Sequence, residues 1–259
     1  PRLSTVKSSQ QVTGVLIKTI IATESSVKPE NIYSVSATPC MAMKFEARRD
    51  GMMRKGISDV DSVLTVRELA RLIRLYGIDI TNVDPQPADE PMAGRSSAAA
   101  MAEVSGGLAE SITRSLGIKL TGTDPGKQHF KKIRSSASFR ETSVLLNDTE
   151  IRIAVIDGLT GLEKLKAAVN SGIKYDLVEV MTCPGGCING AGMPFNSNSK
   201  EEHRNRVKTI YQADETDAVS LPCKSSVIAN LYEKILKENK DTSDHKIFYT
   251  HFEKRNVLL

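Results

Sequence analysis

The chain has 259 residues, 40% hydrophobic and 25% charged, with no tryptophan and a formal net charge of +4. That is an ordinary globular composition, long enough for one large core or two lobes, and the mild positive excess (isoelectric point about 8.8) excludes a strongly basic nucleic-acid binder. No stretch approaches the ~20 uninterrupted apolar residues of a membrane span, and no secretory leader pattern is visible at the start.

In chain order, residues 8–24 carry Val12, Val15, Leu16, Thr19 and Ile20 at spacings of three and four, which predicts a helix started by the Ser8-Ser9 pair. Residues 32–36 (I-Y-S-V-S) predict a strand that stops at Pro39, with Cys40 directly after it. A cysteine at the C-terminal end of a strand stands where α/β sheets usually place ligands. A strand over 60–64 runs into Thr65-Val66-Arg67-Glu68, a capping box. The helix that follows is expected to bury Val66, Leu69, Ala70 and Ile73 and to end near Gly77. Residues 84–91 hold three prolines and read as a loop. The small residues of 96–116, with Ser105-Gly106-Gly107, fit either close helix packing or a backbone wall against a cofactor, before a short amphipathic helix.

The basic run 127–134 (K-Q-H-F-K-K-I-R) lacks the interleaved aromatics of a nucleic-acid platform. It reads as a solvated surface, or as a patch that steers an acidic electron carrier. Residues 139–146 and 150–156 read as paired strands joined at Asn147-Asp148. A helix over 162–169, stopped by Gly172, and a strand over 175–180 complete a βαβ unit, and so an α/β fold. Residues 199–202 form a second capping box, opening a helix with Val207, Ile210 and Tyr211 inward. A last helix over 227–237 carries Ile228, Leu231 and Ile235. There is no internal repeat.

The strand over 175–180 feeds residues 179–194, E-V-M-T-C-P-G-G-C-I-N-G-A-G-M-P. So much glycine and proline excludes a helix and leaves a strand ending in an open loop. Cys183 and Cys187 lie four residues apart on it. Glycine lets backbone N–H groups approach a bulky anionic or sulfide-rich ligand, and two thiolates on such a loop suit an iron–sulfur centre. A local disulfide and two merely buried thiols are the alternatives at this spacing. Zinc prefers repeated C-x-x-C pairs or added histidines, and a thioredoxin-type redox pair needs C-x-x-C. With only Cys40 and Cys223 besides, the four cysteines are no disulfide scaffold and point to a reducing, cytoplasmic compartment. Cys223 reads as a core or surface thiol. His129, His203, His245 and His251 are too scattered for a ligand set and read as surface or satisfied structural residues.

With both cysteine segments in hand, the chain resembles the catalytic domain of iron-only (FeFe) hydrogenases. T-P-C-M-A-M-K-F-E-A at 38–47 is similar to that family's P-C-x-x-K-x-x-E element. Residues 179–194 resemble its E-x-M-x-C-x-x-G-C-x-x-G-x-G-x-P element, matching at Glu179, Met181, Cys183, Gly186, Cys187, Gly190, Gly192 and Pro194. Further similarity lies at 3–10, 59–70 and 249–252, so the resemblance covers nearly the whole chain.

The resemblance implies a two-lobed domain, with mixed and parallel sheets flanked by helices and the cofactor between lobes over 1–130 and 131–259. That cofactor is the H-cluster: a 4Fe-4S cubane held by four cysteines and joined through one thiolate to a diiron unit. The diiron unit carries carbon monoxide, cyanide and a bridging dithiolate amine. By position, Cys40 and Cys183 would ligate the cubane and Cys187 would bridge it to the diiron unit. Met181 would pack beside that unit, and Ser8 and Gln10 would face its cyanide or carbonyl ligands. Thr38, Pro39, Met43 and Gly186 would belong to the cofactor pocket, while Ser4 and Glu46 fall where the family relays or positions protons. The implied activity is reversible, anaerobic reduction of protons to dihydrogen, with electrons from a ferredoxin-like or flavoprotein partner.

Departures from the pattern carry information too. The family's first cubane cysteine lies in a T-S-C-C-P-like segment upstream of the Leu3 region, together with a thiol that passes protons to the bridging amine. That segment is expected from polypeptide before Pro1 or from another chain. Met43 stands where a cyanide-binding lysine is expected, and Lys44, one residue late, should point elsewhere. Thr38 replaces the usual methionine before Pro39-Cys40, and Ala102-Glu103 stands where Phe-Gly is common. Losing an ammonium donor to cyanide removes a charge-assisted hydrogen bond of about 1.5–3 kcal/mol. These changes resemble the divergent, hydrogen-sensing members more than the fast hydrogen-evolving ones.

Overall fold

A computed structural model of the chain describes residues 3–89, 96–194, 199–238 and 247–252, without side chains at 199 and 235–238. The chain divides into two compact units, residues 1–91 with 234–259, and residues 92–233. The expected lobe boundary after residue 130 therefore falls inside the second unit. The reason is a shared core: Ala109 packs in one cluster with Phe130, Ile133, Val144, Leu146, Ile153 and Val155.

In the first unit, Ser8 caps helix α1 (Ser9–Leu16) by accepting from the Gln11 N–H at 3.3 Å. The helix continues through a π turn (Ile17–Ile21) into α2 (Ala22–Glu24), so the expected helix over 8–24 is present with a bulge in it. Lys18, in that turn, is buried, and its ammonium sits 2.7 Å from Asp61. Burial pushes the Asp61 carboxyl up, but the bonds from Lys18 and Ser34 outweigh it and hold the group below the usual carboxylate range.

The same carboxylate accepts from the Ser34 N–H at 2.6 Å, which takes that group out of any ladder. Strands β1 (Val35–Thr38) and β4 (Ser62–Thr65) consequently begin beyond it, each a few residues later than the pattern predicts. They pair in parallel from Val35↔Ser62 to Thr38↔Thr65. Between them lie α3 (Ala42–Glu46) and the two-residue strands β2 (Met53–Arg54) and β3 (Ile57–Ser58). Lys7 and Asp59 form a buried ion pair at 2.7 Å, with Arg54 on the second carboxylate oxygen at 3.2 Å.

Helix α4 (Val66–Leu75) opens with the expected capping box, the Glu68 N–H donating to Thr65 Oγ1 at 3.2 Å and the Thr65 N–H to Glu68 Oε2 at 2.8 Å. Val66, Leu69, Ala70 and Ile73 are only half-buried, a correction to the expected core face, and Leu72 and Leu75 are exposed.

The second unit holds a three-stranded mixed sheet, ordered β5 (Phe139–Leu146), β6 (Thr149–Asp157), β7 (Leu177–Met181). β5 and β6 form the expected hairpin, turning at Asn147 with φ 51°, and β6 runs parallel to β7 through α7 (Leu162–Asn170). Helices α5 (Ser97–Met101), α6 (Gly107–Thr121) and α8 (Ser199–Thr216) complete it among the described residues, with the part of α9 (Ser226–Glu238) up to residue 233. In α9, Ile228 is exposed, and Ile235 lies outside the described side chains. The second capping box rests on Ser199, whose side chain is likewise outside them. Val207, Ile210 and Tyr211 of α8 are half-buried. No helix among the described residues is long and apolar enough to cross a membrane.

Helix α6 inverts the usual amphipathic rule. Glu110, Thr113 and Arg114 are buried on it, while Leu108 and Ile112 are exposed. The buried polar face is satisfied by charge: Glu110 holds Arg134 at 2.5 Å, and Arg114 holds Asp124 at 2.8 Å and Asp214 at 3.3 Å. Lys127 also reaches Asp214 at 2.8 Å, and Phe130 and Ile133 are fully buried. The basic run 127–134 is thus a structural segment with exposed residues between its anchors, not the solvated face that its composition suggests.

The start of α6 has no side chain of its own to cap it, because Gly106 occupies the N-cap with φ 95°. Glu179, 6% exposed, caps it from β7 instead, accepting from the Gly106 N–H at 2.6 Å and the Ala109 N–H at 2.8 Å. A Cβ on Gly107 would come within 1.9 Å of the Met101 carbonyl oxygen, and one on Gly106 within 2.4 Å of that of Ile133. Of the two readings of these small residues, close packing is the one the structure supports.

Glu179→Gln keeps one acceptor and turns the other into a second donor facing an N–H. It is expected to lower stability by about 1–3 kcal/mol, read as a fall in Tm of about 2–4 °C per kcal/mol; an unchanged Tm would remove Glu179 from the capping role. Glu68 gives a pH prediction. The hydrogen bond from Lys44, then those from Thr65, lower its carboxyl from 4.5 to about 2. A depressed folded-state value means that the stabilisation is present above pH 4.5 and is lost as pH falls toward 2. Over that window the urea midpoint of Glu68→Gln should depend less on pH than that of the parent, and parallel curves would contradict the assignment.

Candidate functional site

The cysteine loop leaves the C-terminal end of β7, a strand parallel to its neighbour, where α/β sheets place ligands. Met181 is the last residue of β7, half-buried, its carbonyl accepting from the Gly158 N–H at 2.8 Å. Cys183 and Cys187 are half-buried, and no disulfide joins any of the four cysteines. That removes the disulfide reading. Cys183 closes a turn, its carbonyl accepting from the Gly186 N–H at 3.0 Å, and Cys187 opens a single 3-10 turn (Cys187–Asn189).

The loop is strapped down from several sides. Asp157, at the end of β6, accepts from the Gly185 N–H at 2.5 Å. The Ile188 N–H donates to the Glu103 carbonyl at 3.2 Å, and Arg206 to the Ile188 carbonyl at 3.2 Å. His203 bonds the Gly185 carbonyl at 3.1 Å, which makes it the satisfied structural histidine that the sequence suggests. Gly186 is buried with φ 91°, and a Cβ there would meet the Glu103 carbonyl oxygen at 2.4 Å. One on Gly185 would meet the His203 ring at 2.4 Å. Close protein packing therefore requires a glycine at both positions.

Burial pushes the Glu179 carboxyl up, partly opposed by the N–H groups of Gly106 and Ala109 and by the Arg140 charge. Asp157 is the residue that sequence reasoning missed. Its signal was its place at the end of a strand, just before Gly158.

In the first unit the residues singled out from the sequence form a connected cluster. Cys40 follows β1, also a strand of a parallel pair, and its N–H donates to Thr38 Oγ1 at 3.2 Å across Pro39. Gln10 ties β1 to α3: its amide nitrogen donates to the Met43 carbonyl at 3.2 Å, and its oxygen accepts from Ser36 at 2.7 Å. The Ser8 hydroxyl donates to Glu46 Oε2 at 2.6 Å. Arg49 donates to the His251 carbonyl at 3.0 Å and lies over the Phe252 ring. Met43, Glu46 and Arg49 line a cavity of about 460 Å³ with Phe45, His251 and Phe252. Ser4 stands exposed, its oxygen accepting from the Val6 N–H at 3.3 Å, and no bond joins it to Ser8 or Glu46. Lys44 does point elsewhere: its ammonium pairs with Glu68 at 2.6 Å. Cys223 is exposed, in a 3-10 turn (Pro222–Lys224).

Among the described residues, no group of three or more His, Cys, Asp or Glu side chains is placed to hold a single metal ion. Cys40 belongs to one unit and the Cys183–Cys187 pair to the other. The donor chemistry itself fits an iron–sulfur group: half-buried thiols, free of disulfides, on loops that leave parallel strand pairs.

The sequence matches the family described as iron only hydrogenase large subunit, C-terminal domain, over residues 1–191, and that described as iron hydrogenase small subunit over residues 200–255. The NADP-reducing hydrogenase subunit HndD of Solidesulfovibrio fructosivorans is 32% identical, across 98% of this chain and 44% of its own length. The cytosolic Fe-S cluster assembly factor narfl of Danio rerio is 28% identical, across 97% of this chain and 62% of its own. The solved structure of a variant of the FeFe-hydrogenase HydA1 from Chlamydomonas reinhardtii superposes with a TM-score of 0.80 at 25% identity, covering 96% of this chain and 70% of that one. The chain spans about half the length of the curated relatives it matches. A match over residues 1–191 takes in both cysteine segments and the α/β framework that carries them, and on that ground the chain belongs to the family formed by the C-terminal domain of the iron-only hydrogenase large subunit.

Proposed function

We propose that this chain is the catalytic domain of an iron-only hydrogenase, interconverting protons and dihydrogen at an H-cluster with electrons from a ferredoxin-like or flavoprotein partner in the cytoplasm. The observation that carries this reading is the cysteine loop, whose two uncrosslinked thiols lie at a parallel strand end on a backbone that donates to Asp157 and to the Glu103 carbonyl. Cys40 and Cys183 would ligate the cubane and Cys187 would join it to the diiron unit. The fourth cubane ligand and the proton-passing thiol would come from upstream polypeptide or another chain. When bound, the H-cluster supplies the electron store and the metal centre at which protons and electrons combine.

The chain's own part is positional and acid–base. Ser8 Oγ and Glu46 Oε2, 2.6 Å apart, form a hydrogen-bonded pair able to hold a proton and hand it on, with Ser4 exposed to solvent as the proposed uptake point. Gln10 fixes the backbone at Met43 and thereby the first turn of α3 behind Cys40. Met181 and Met43 would supply apolar walls that exclude water, with Thr38, Pro39 and Gly186 shaping the backbone beside the thiols.

A second reading, hydrogen sensing or very low turnover with signalling through a partner, is favoured by one observation. The Lys44 ammonium is engaged by Glu68, and Met43 has no proton to donate, so α3 offers cyanide no cation.

Anaerobically matured protein, completed by its first-cysteine segment, is expected to show iron carbonyl and cyanide infrared bands. Iron content matching a cubane alone, without bands, would reject the diiron cofactor and leave a cluster-binding protein akin to the assembly factors. Glu46→Gln should lower steady-state hydrogen evolution by about 10²-fold with the bands unchanged, and an unaltered rate would take Glu46 out of the relay. Intact bands with negligible turnover in the parent protein would select the sensing role.

A further inference from the structure

The second unit contains a cavity of about 730 Å³ that the proposed hydrogen chemistry does not use. We propose that it is a binding site for a small phosphate-bearing anion, of pyrophosphate size or larger.

Three of its lining residues, Lys200, Arg204 and Lys208, recur every four positions along α8 and so share one helix face. All three are exposed, and among the described residues no carboxylate pairs with any of them. Arg206, on another face of the same helix, does pair with Glu202, at 3.3 Å. The cations that face the cavity are thus the ones left unneutralised.

The inner wall is built to match. Arg140 lines the cavity and is 5% exposed; it donates through Nη1 to the Ile133 and Ser105 carbonyls and through Nη2 to the Ser105 hydroxyl. Its Nε–H is buried without a partner. A buried donor in that state costs free energy until an acceptor reaches it. Ser135 and Ser136 also line the cavity, both exposed, with the Ser135 hydroxyl already donating to the Lys132 carbonyl at 2.9 Å. Asp157, the one carboxylate in the lining, is taken by the Gly185 N–H and lies 3.8 Å from Arg140, and the Arg134 charge is matched by Glu110. A fixed guanidinium behind exposed ammonium and guanidinium groups around a concave, positively biased space is what multivalent phosphate oxygens require. The volume falls in the range of small-molecule pockets, about 300–1,000 Å³. A broad acidic protein surface would meet the rim cations but would not enter the concave space that Arg140 and Ser105 line, so a small ligand is the better fit.

The test is isothermal titration of the full chain with inorganic pyrophosphate at low ionic strength, with chloride at matched ionic strength as control. Saturable binding is expected, weakened about tenfold or more in Lys200→Ala/Arg204→Ala/Lys208→Ala. The three side chains are exposed, so the variant should keep the parent Tm, and a thermal melt verifies this. ADP is titrated in parallel: tighter binding than pyrophosphate would support a nucleotide as the natural source, and equal binding a free pyrophosphate group. No saturable pyrophosphate binding by the parent protein, or equal affinity in the folded triple variant, would overturn the proposal.

Discussion

A buried carboxylate holds the start of a helix that cannot cap itself. Gly106 brings the chain into α6 through a positive φ and a close approach to Ile133, and a glycine there provides no side-chain acceptor. Glu179 reaches across from β7 to take the Gly106 and Ala109 N–H groups, tying the strand that delivers the cysteines to the helix behind it. Asp157 repeats the device one strand over, on Gly185. Each carboxylate loses hydration on burial and regains it as short bonds to backbone donors, and the cysteine loop takes its shape from those fixed points.

The interior of the second unit is built on the same principle at larger scale. Arg114, Glu110, Asp124, Asp214, Lys127 and Arg134 form one connected set of charges. Desolvation pushes the Asp214 carboxyl up, yet Lys127, Ser97 and Arg114 together hold it below its ordinary range. Such a network makes removal of one member costly, because it leaves an uncompensated charge inside. It also explains the direction of α6: with its partners waiting inside, the charged face turns in and Leu108 and Ile112 turn out.

In the first unit short side chains do comparable work. Ser8 both caps α1 and donates to Glu46, and Gln10 bridges Ser36 and Met43, so α1, β1 and α3 are locked together around the segment that ends in Cys40. Glu68 joins two roles as well, closing the capping box of α4 and capturing Lys44. The Lys44 ammonium is thereby spent on a structural ion pair.

Elements with local causes were legible in advance. Helix α1 from Ser8, the capping box at Thr65 and the hairpin turn at Asn147 depend on contacts within a few residues, and periodicity and cap chemistry report those; the βαβ unit before the cysteine loop was legible from the order of its elements, although its strands pair across 24 residues. The motif around Cys183 and Cys187 was legible as well, because its residue types and spacing are specific. The burial of α4, the inward turn of Arg114, the structural use of the basic run and the lobe boundary were not, since each is settled by what packs against it.

What the sequence determined by itself, then, was the order and type of most elements and which side chains bear chemistry. The tertiary structure alone decided where β1 and β4 begin, what Gly185 and Gly186 pack against, and which groups Glu179, Asp157 and Lys44 hold. The reason is distance along the chain: Lys44 meets Glu68 across 24 residues and Glu179 meets Gly106 across 73. No local pattern encodes a partner that only folding brings near.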